Sequence, residues 1–384
     1  MRNTRPSKIE SFLDKYRIMI KSISTTKFLS PVVSPKYFFH TDSSFKRESY
    51  RMKMFRPIIL ILLIIDISNS FSYDPGYIYS GVVWNDTDGK SIQAHAAGIL
   101  IDPIDQSYWW YGGSFESPDI TLHSVNCYHS KDLLYWVNVG EVLGQKQVYI
   151  KDYPGPYKLE RPKVVWNEKT KLFVMWFHLD NSNHTYRYVG VATSPSPNTI
   201  FTFLDGFQPD GIPSLDMSLY EDKKNGIVNG VYLVRSCDNE YVGISKLSDD
   251  YLNTTGITSK IHERREGHAI FYRNNRYYMM TSHLTGWYPN PADLFISDGD
   301  NLEGATWTSL GNPTNSSTTF NSQSTFVLPY PSTKYPGTYF YIYMGDRWDP
   351  PHLMNATYVW LPYIFHSDTN VTLEWIDKWA FTDY

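Results

Sequence analysis

The stretch 266-EGHAIFYRNNRYYMMTSHLTGW-287 reads as a β-hairpin. His268 to Tyr272 and Tyr277 to Ser282 are aromatic, β-rich runs, and Arg273-Asn274-Asn275-Arg276 between them has turn chemistry. One acidic residue, Glu266, stands at the hairpin's mouth. Taken alone, it marks only the point where a solvated loop becomes a strand. The same plan recurs four more times, however: 93-QAHAAGILIDPIDQSYWWYGGS-114, 160-ERPKVVWNEKTKLFVMWFHLD-180, 216-DMSLYEDKKNGIVNGVYLVRS-236 and 323-QSTFVLPYPSTKYPGTYFYIYMGDRW-348. The period is roughly 50–65 residues.

Each unit is followed by a second pair of strand-like stretches, such as 124-SVNCYHSKDLLYWVNVG-140, 187-RYVGVATS-194, 241-YVGISKLSDDYL-252 and 293-DLFISDGDNLEGATWTSLG-311. The last unit closes with 357-TYVWLPYIFHSD-368 and 372-TLEWIDKWAF-381. Four strands in each of five units predict an all-β fold, a five-bladed β-propeller. A lone hairpin cannot bury its face, so blades must stack around a central channel. The first strand of each blade then lines that channel and begins at one rim. Gln93 and His95, Glu160, Asp216, Glu266 and Gln323 open the five units, which predicts a ring of hydrogen-bonding groups around one polar site.

Composition agrees with a globular β-protein: 42% hydrophobic, 19% charged and 16% aromatic, with 31 Tyr and 12 Trp. Such rings fill β-cores, and their flat faces and polar edges also suit sugars. Residues 1–56 carry a net charge of +9 and the remainder −13, so an acidic body argues against nucleic-acid binding. At the seam, 52-MKMFRPIILILLIIDISNS-70 has basic Lys53 and Arg56, then eight aliphatics from Ile58 to Ile65 and small residues at Ser68 and Ser70. This fits a signal peptide over 52–70, cleaved after Ser70, too short to span a bilayer. Residues 1–51 are then a basic N-terminal extension, and 71–384 the propeller domain. A signal anchor is the competing reading, against which Asp66 counts. Six N-x-S/T sequons downstream, at Asn85, Asn183, Asn253, Asn315, Asn355 and Asn370, support a secreted, glycosylated product with no membrane contact after cleavage. Cys127 and Cys237 are too few for a disulfide scaffold or zinc site; they pair or stay as two buried thiols.

At the unit-opening residues the pattern resembles glycoside hydrolase family 43, and within it the branch of exo-β-1,3-galactanases. The carriers are "QAHAAGIL", "YWWYGGS", "ERPKVVWNEKTKLFVMWFHLD", "VGVATS", "DMSLY", "REGHAIFY", "TSHLTGW" before Tyr288 and "PN", "FNSQSTFVLP" and "MGDRW", spanning residues 93 to 348 in order. The resemblance implies inverting hydrolysis of β-1,3-linked galactose, with Glu266 as general acid and Asp216 tuning and orienting it. It implies that Glu160 holds sugar hydroxyls and that Gln323 positions or activates water, because "QAHAAG" lacks the first-blade Asp that serves most of the family as base. One departure is Gly113 after "YG", where the branch has Glu; Glu116 is the candidate substitute. Further substrate-binding candidates are Gln93, His95, Tyr186, Asn239, Thr285, Trp287, Arg347 and Trp348, with the two tryptophans as sugar-stacking platforms. No His/Cys cluster suggests a catalytic metal and no cofactor is implied, while a structural cation in the channel stays open. The expected partner is an oligo- or polysaccharide. The alternatives are an arabinofuranosidase or xylosidase of the same family, or a non-catalytic, lectin-like propeller.

Overall fold

In a computed structural model the chain is described over residues 74–115, 123–350 and 352–384. The leader, its cleavage point and Glu116 lie outside the described residues. Five four-stranded antiparallel sheets follow one another, each a simple meander in chain order. Blade 1 comprises His95–Ile101, Tyr108–Ser114, Ser124–Ser130 and Val137–Leu143. Blade 2 comprises Lys158–Asn167, Leu172–Asp180, Tyr188–Ser194 and Thr202–Phe207. Blade 3 runs through Ser214–Lys224, Ile227–Cys237, Tyr241–Leu247 and Thr254–Ile261. Blade 4 is Glu266–Arg273, Arg276–Ser282, Asp293–Ser297 and Trp307–Gly311, and blade 5 is Gln323–Pro331, Tyr339–Arg347, Thr357–Phe365 and Val371–Leu373. The first strands of neighbouring blades pack on one another around the axis. The five-bladed propeller is therefore the observed fold.

The hairpin that opened the sequence reading turns at Asn274-Asn275, both left-handed at φ 49° and 60°. That double positive φ matches the twist of the flanking strands, and Asn tolerates it better than most residues.

Hydrophobic burial occurs between blades rather than at one centre. Five clusters of buried side chains form, one at each interface between neighbouring blades. The seam between blade 5 and blade 1 is built from tryptophans: ring centroids lie 5.0 Å apart for Trp110–Trp136, 5.3 Å for Trp110–Trp360 and 4.9 Å for Trp84–Trp360. Edge-to-face rings of this size carry large apolar area across the ring's closing joint. The stretch 372–381, read above as one strand, divides. Val371–Leu373 ends blade 5, while Lys378–Trp379 pairs with Ile78–Tyr79 in a separate two-stranded ribbon. The start of the described residues is thus tied to the last strand beside the first–last seam. Cys127 and Cys237 are both buried and free, in different blades. All six sequon asparagines are exposed. Among the described residues, no helix is long and apolar enough to cross a membrane.

One feature of the inner strands controls the rim. In four blades, the ladder slips two or three residues after a matched pair: His95 opposite Gly113, Glu160 opposite His178, Ser214 opposite Cys237 and Glu266 opposite Ser282. In blade 5 the slip follows Ser324. Such bulges bend a strand and re-aim its side chains. Ala96, Arg161 and Gly267 sit in these bulges with φ of 50°, 55° and 64°. Asp216 departs from the expected ring: it lies inside its bulge, two residues past Ser214, the residue that matches Glu160 and Glu266 in register.

Gly112 has no such freedom to spare. A Cβ there would stand 2.1 Å from the backbone carbon of Ala94. Gly112→Ala is expected to destabilise the protein by about 3 kcal/mol or more, since backbone cannot yield as a side chain does. Gly299→Ala, with open space around its Cβ, is the matched control that should change little. Urea denaturation of both variants checks this.

Candidate active site

A pocket of about 160 Å³ opens at the rim, lined among others by His95, Gly113, Phe115, Glu160, Arg161, His178, Asp216, Glu266, Trp287, Gln323 and Trp348. Its volume is below the roughly 300–1,000 Å³ of pockets that engulf a drug-sized ligand.

Arg161 is the group that sequence reasoning missed. It follows Glu160 directly in the sequence, but its side chain reaches the neighbouring blades instead. Its buried guanidinium spans three blades: Nε lies 2.7 Å from Asp216 Oδ2, Nη2 donates to Gln323 Oε1 at 2.6 Å, and Nη1 donates to the Ser324 carbonyl at 3.2 Å. Asp216 Oδ2 also accepts from the Gly267 backbone N–H at 3.0 Å. Burial works against the Asp216 charge, but Arg161 outweighs it and the carboxyl stays below its usual range.

Glu266 has the opposite fate. Burial, reinforced by the negative charge of Asp216, pushes its carboxyl up to about 8. Arg161, the Thr285 backbone N–H and the Gln323 amide pull the other way without cancelling this. Two carboxyls on neighbouring blades are thereby split, with Asp216 ionised and Glu266 neutral at pH 7. Environments that separate a pair of acids in this way characterise sites of acid–base chemistry.

Glu160 is held by a third arrangement. Its Oε2 stands 3.2 Å from His178 Nδ1, and His178 Nε2 stands 3.0 Å from Asp180 Oδ2. Burial alone would lower the His178 pKa; the two carboxylates overcome it and raise it to about 9. Glu160 in turn stays well below the usual range, its burial outweighed by that imidazolium. Glu160, His178 and His184 bring one ligand atom each to within 4.8 Å of one another, the spacing of a cation site. The cluster already holds cations of its own, however: the His178 imidazolium, and Lys158, whose Nζ lies 2.8 Å from His184 Nε2. Hairpin register alone pairs residue 160 with 178, a signal the sequence reading left unused.

The aromatic wall is formed by Trp287 and Trp348, with centroids 4.9 Å apart at 73°, and by Phe115 edge-on to both. His95 is fully buried at the pocket floor, sandwiched between Phe115 and Tyr358 with its Nδ1 3.6 Å from Asp346. Gly113 lines the pocket, and a Cβ there would make only ordinary contacts, 3.6 Å to the His95 carbonyl. Asn239 also lines it, with its side-chain oxygen accepting from Ser236 Oγ at 2.9 Å.

Four expected sugar contacts lie elsewhere. Gln93 is buried behind the rim and donates to the Met354 carbonyl at 2.7 Å. Tyr186 turns its hydroxyl to the Pro154 carbonyl at 2.8 Å. The Thr285 hydroxyl is taken up by Tyr288 and Asn290 within its own loop, leaving only its backbone near Glu266. Arg347 neither pairs with Asp346 nor faces the pocket: it donates to the Phe320 carbonyl at 2.8 Å and lies 4.9 Å from the Trp375 ring.

The raised Glu266 pKa has a stability consequence. From the ordinary carboxyl range, near 4.5, up to about 8, the unfolded chain has lost a proton that the folded one keeps, so stability falls as pH rises through that window. Glu266→Gln removes this penalty. The variant's melting temperature should exceed that of the wild type at pH 8, by a margin that grows from pH 5 to pH 8 in thermal melts.

No protein-family model and no curated protein matches the chain. Solved structures do. An exo-β-1,3-galactanase from Phanerochaete chrysosporium, determined as a variant with β-1,3-galactotriose, is 34% identical over 79% of this chain and 68% of its own, with a TM-score of 0.71. A GH43 β-1,3-galactosidase with galactodeoxynojirimycin is 31% identical over 79% of this chain and 100% of its own, with a TM-score of 0.69. An exo-β-1,3-galactanase from Clostridium thermocellum is 34% identical over 79% and 66%, with a TM-score of 0.70. Common ancestry at this identity and coverage, on a shared propeller, makes the chain a member of glycoside hydrolase family 43.

Proposed function

We propose that this protein is an inverting exo-hydrolase that releases galactose from the non-reducing end of β-1,3-linked galactan. The observation that carries the reading is the neutral Glu266 in the rim pocket beside an ionised Asp216. The similar solved structures of exo-β-1,3-galactanases support the substrate.

In this reading the terminal sugar rests against Trp287 and Trp348, and ionised Glu160 accepts hydrogen bonds from its hydroxyls. The Glu266 carboxyl gives its proton to the glycosidic oxygen as the C1–O bond breaks, so the leaving sugar departs neutral with the bonding pair. Water attacks C1 from the opposite face and loses a proton to solvent, yielding α-galactose. Glu266 is reprotonated from bulk water. Asp216 acts by keeping that proton on Glu266, and Arg161 keeps Asp216 ionised and in place. The leader and the six exposed sequons support secretion as an N-glycosylated protein.

Incubation with β-1,3-galactotriose, followed by proton NMR, should reveal α-galactose first and β only after mutarotation. Glu266→Gln should lower kcat about 10²–10⁴-fold, the usual contribution of a general acid. Release of pentoses alone from aryl arabinofuranosides or xylosides would overturn the substrate, and binding of galactotriose without turnover would favour a lectin.

The pH profile offers a second test. Activity requires protonated Glu266, so kcat/KM should fall as pH rises through about 8. Asp216→Asn removes a like charge and frees Arg161 to act on Glu266. Both changes lower the Glu266 pKa, and the basic limb should move to lower pH.

A further inference from the structure

Gly112 and Gly113 are neighbours in the second strand of blade 1, and different demands fall on them. At Gly112 a side chain is excluded, because its Cβ would stand 2.1 Å from the backbone of Ala94. At Gly113 nothing in the fold excludes one. Its φ lies outside the left-handed region. Besides its chain neighbours, the only atoms within 4 Å of a Cβ placed there are the carbonyl oxygens of His95 at 3.6 Å and Leu159 at 3.8 Å. Glycine inside a strand loses more freedom on folding than other residues and packs nothing, so it weakens the strand. A glycine that neither backbone nor packing requires marks a place where something else approaches closely. The open side here is the pocket.

The gap has defined walls. Gly113 pairs with His95 across the ladder, Phe115 follows two residues on, and Leu159 precedes Glu160 on the first strand of blade 2. All four of these line the pocket with it. Glu160 Oε2 is taken by His178 at 3.2 Å, while Oε1 is buried and makes no hydrogen bond, with His123 Nδ1 at 3.8 Å. Oε1 is therefore the atom left for a sugar hydroxyl. The gap adjoins that hydroxyl on the side of blades 1 and 2, whereas the leaving oxygen belongs with Glu266 on blade 4. An anionic substituent there would meet the ionised Glu160. A small apolar one would meet the buried faces of Phe115 and Leu159.

We propose that Gly113 sets the specificity of the terminal-sugar site by leaving room for a small apolar substituent, an O-methyl group, on a ring hydroxyl beside the one that Glu160 holds. The substrate class thereby extends from unsubstituted galactose ends to ends that carry a single methyl ether. The inference rests on the galactanase reading and concerns which chain ends that reading covers.

β-1,3-Galactobiose methylated singly at each free hydroxyl of its terminal galactose tests this on the full-length protein. The wild type should cleave at least one isomer with a kcat/KM within about tenfold of the parent. Gly113→Val fills the gap and should lower kcat/KM on that isomer by about 10–200-fold, as a methylene-sized misfit does, but on the parent by less than about threefold. Gly113→Ala should fall between wild type and Gly113→Val, and it carries the comparison if thermal melts show that the valine variant does not fold. Refusal of every isomer by the wild type would overturn the proposal. So would Gly113→Val losses that are equal on isomer and parent, or absent on both. If the wild type does not cleave galactobiose at all, the galactanase reading fails by itself. The gap is then tested by calorimetry with singly methylated methyl β-galactosides, one of which must bind the wild type more tightly than Gly113→Val; equal affinities for all would overturn it.

Discussion

One buried guanidinium holds the rim together. Arg161 leaves blade 2 at a bulge with φ 55°, grips Asp216 of blade 3 and reaches Gln323 and Ser324 of blade 5. The chain pays for a non-glycine residue in left-handed conformation, and in return the side chain turns into the channel. Without that turn, alternation along the strand would send Arg161 and Glu160 to opposite faces of the blade. With it, adjacent residues serve two different parts of one pocket.

The charges follow from this geometry. Arg161 can neutralise only one of two neighbouring carboxyls, and it touches Asp216. Glu266, half-buried and left with an amide, a backbone N–H and a negative neighbour, keeps its proton. Glu160 has its own cation in His178, so it remains an acceptor. Three acids at one rim thus acquire three partners, and the partner fixes the protonation state of each.

Much of this was legible in the sequence because propellers repeat. Five hairpins of matching pattern gave the blade count, and aligning their openings brought Glu160, Glu266 and Gln323 to one rim. The bulges were not legible: a ladder slip depends on how neighbouring inner strands fit around the axis, and no local pattern announces it. Asp216 therefore stands two residues past the position that matches Glu160 and Glu266, and the reach of Arg161 to Asp216 has no signal in the sequence. Gln93, Tyr186 and Arg347 stand outside the pocket lining for a related reason. Polar or aromatic character near a rim does not reveal whether backbone carbonyls such as those of Met354, Pro154 and Phe320 claim the side chain first. The tryptophans were ambiguous from composition alone: Trp287 and Trp348 wall the pocket, whereas Trp110, Trp136 and Trp360 close the ring.

The division of charge at the rim is the claim on which the mechanism stands. It is tested most directly by following the Glu266 carboxyl carbon by NMR in protein labelled at glutamate side chains, with the resonance assigned by its absence from Glu266→Gln. The account predicts a midpoint near pH 8, with the acid neutral at pH 6. A midpoint in the ordinary carboxyl range near 4.3 would mean that Glu266 is ionised at working pH and has no proton to give.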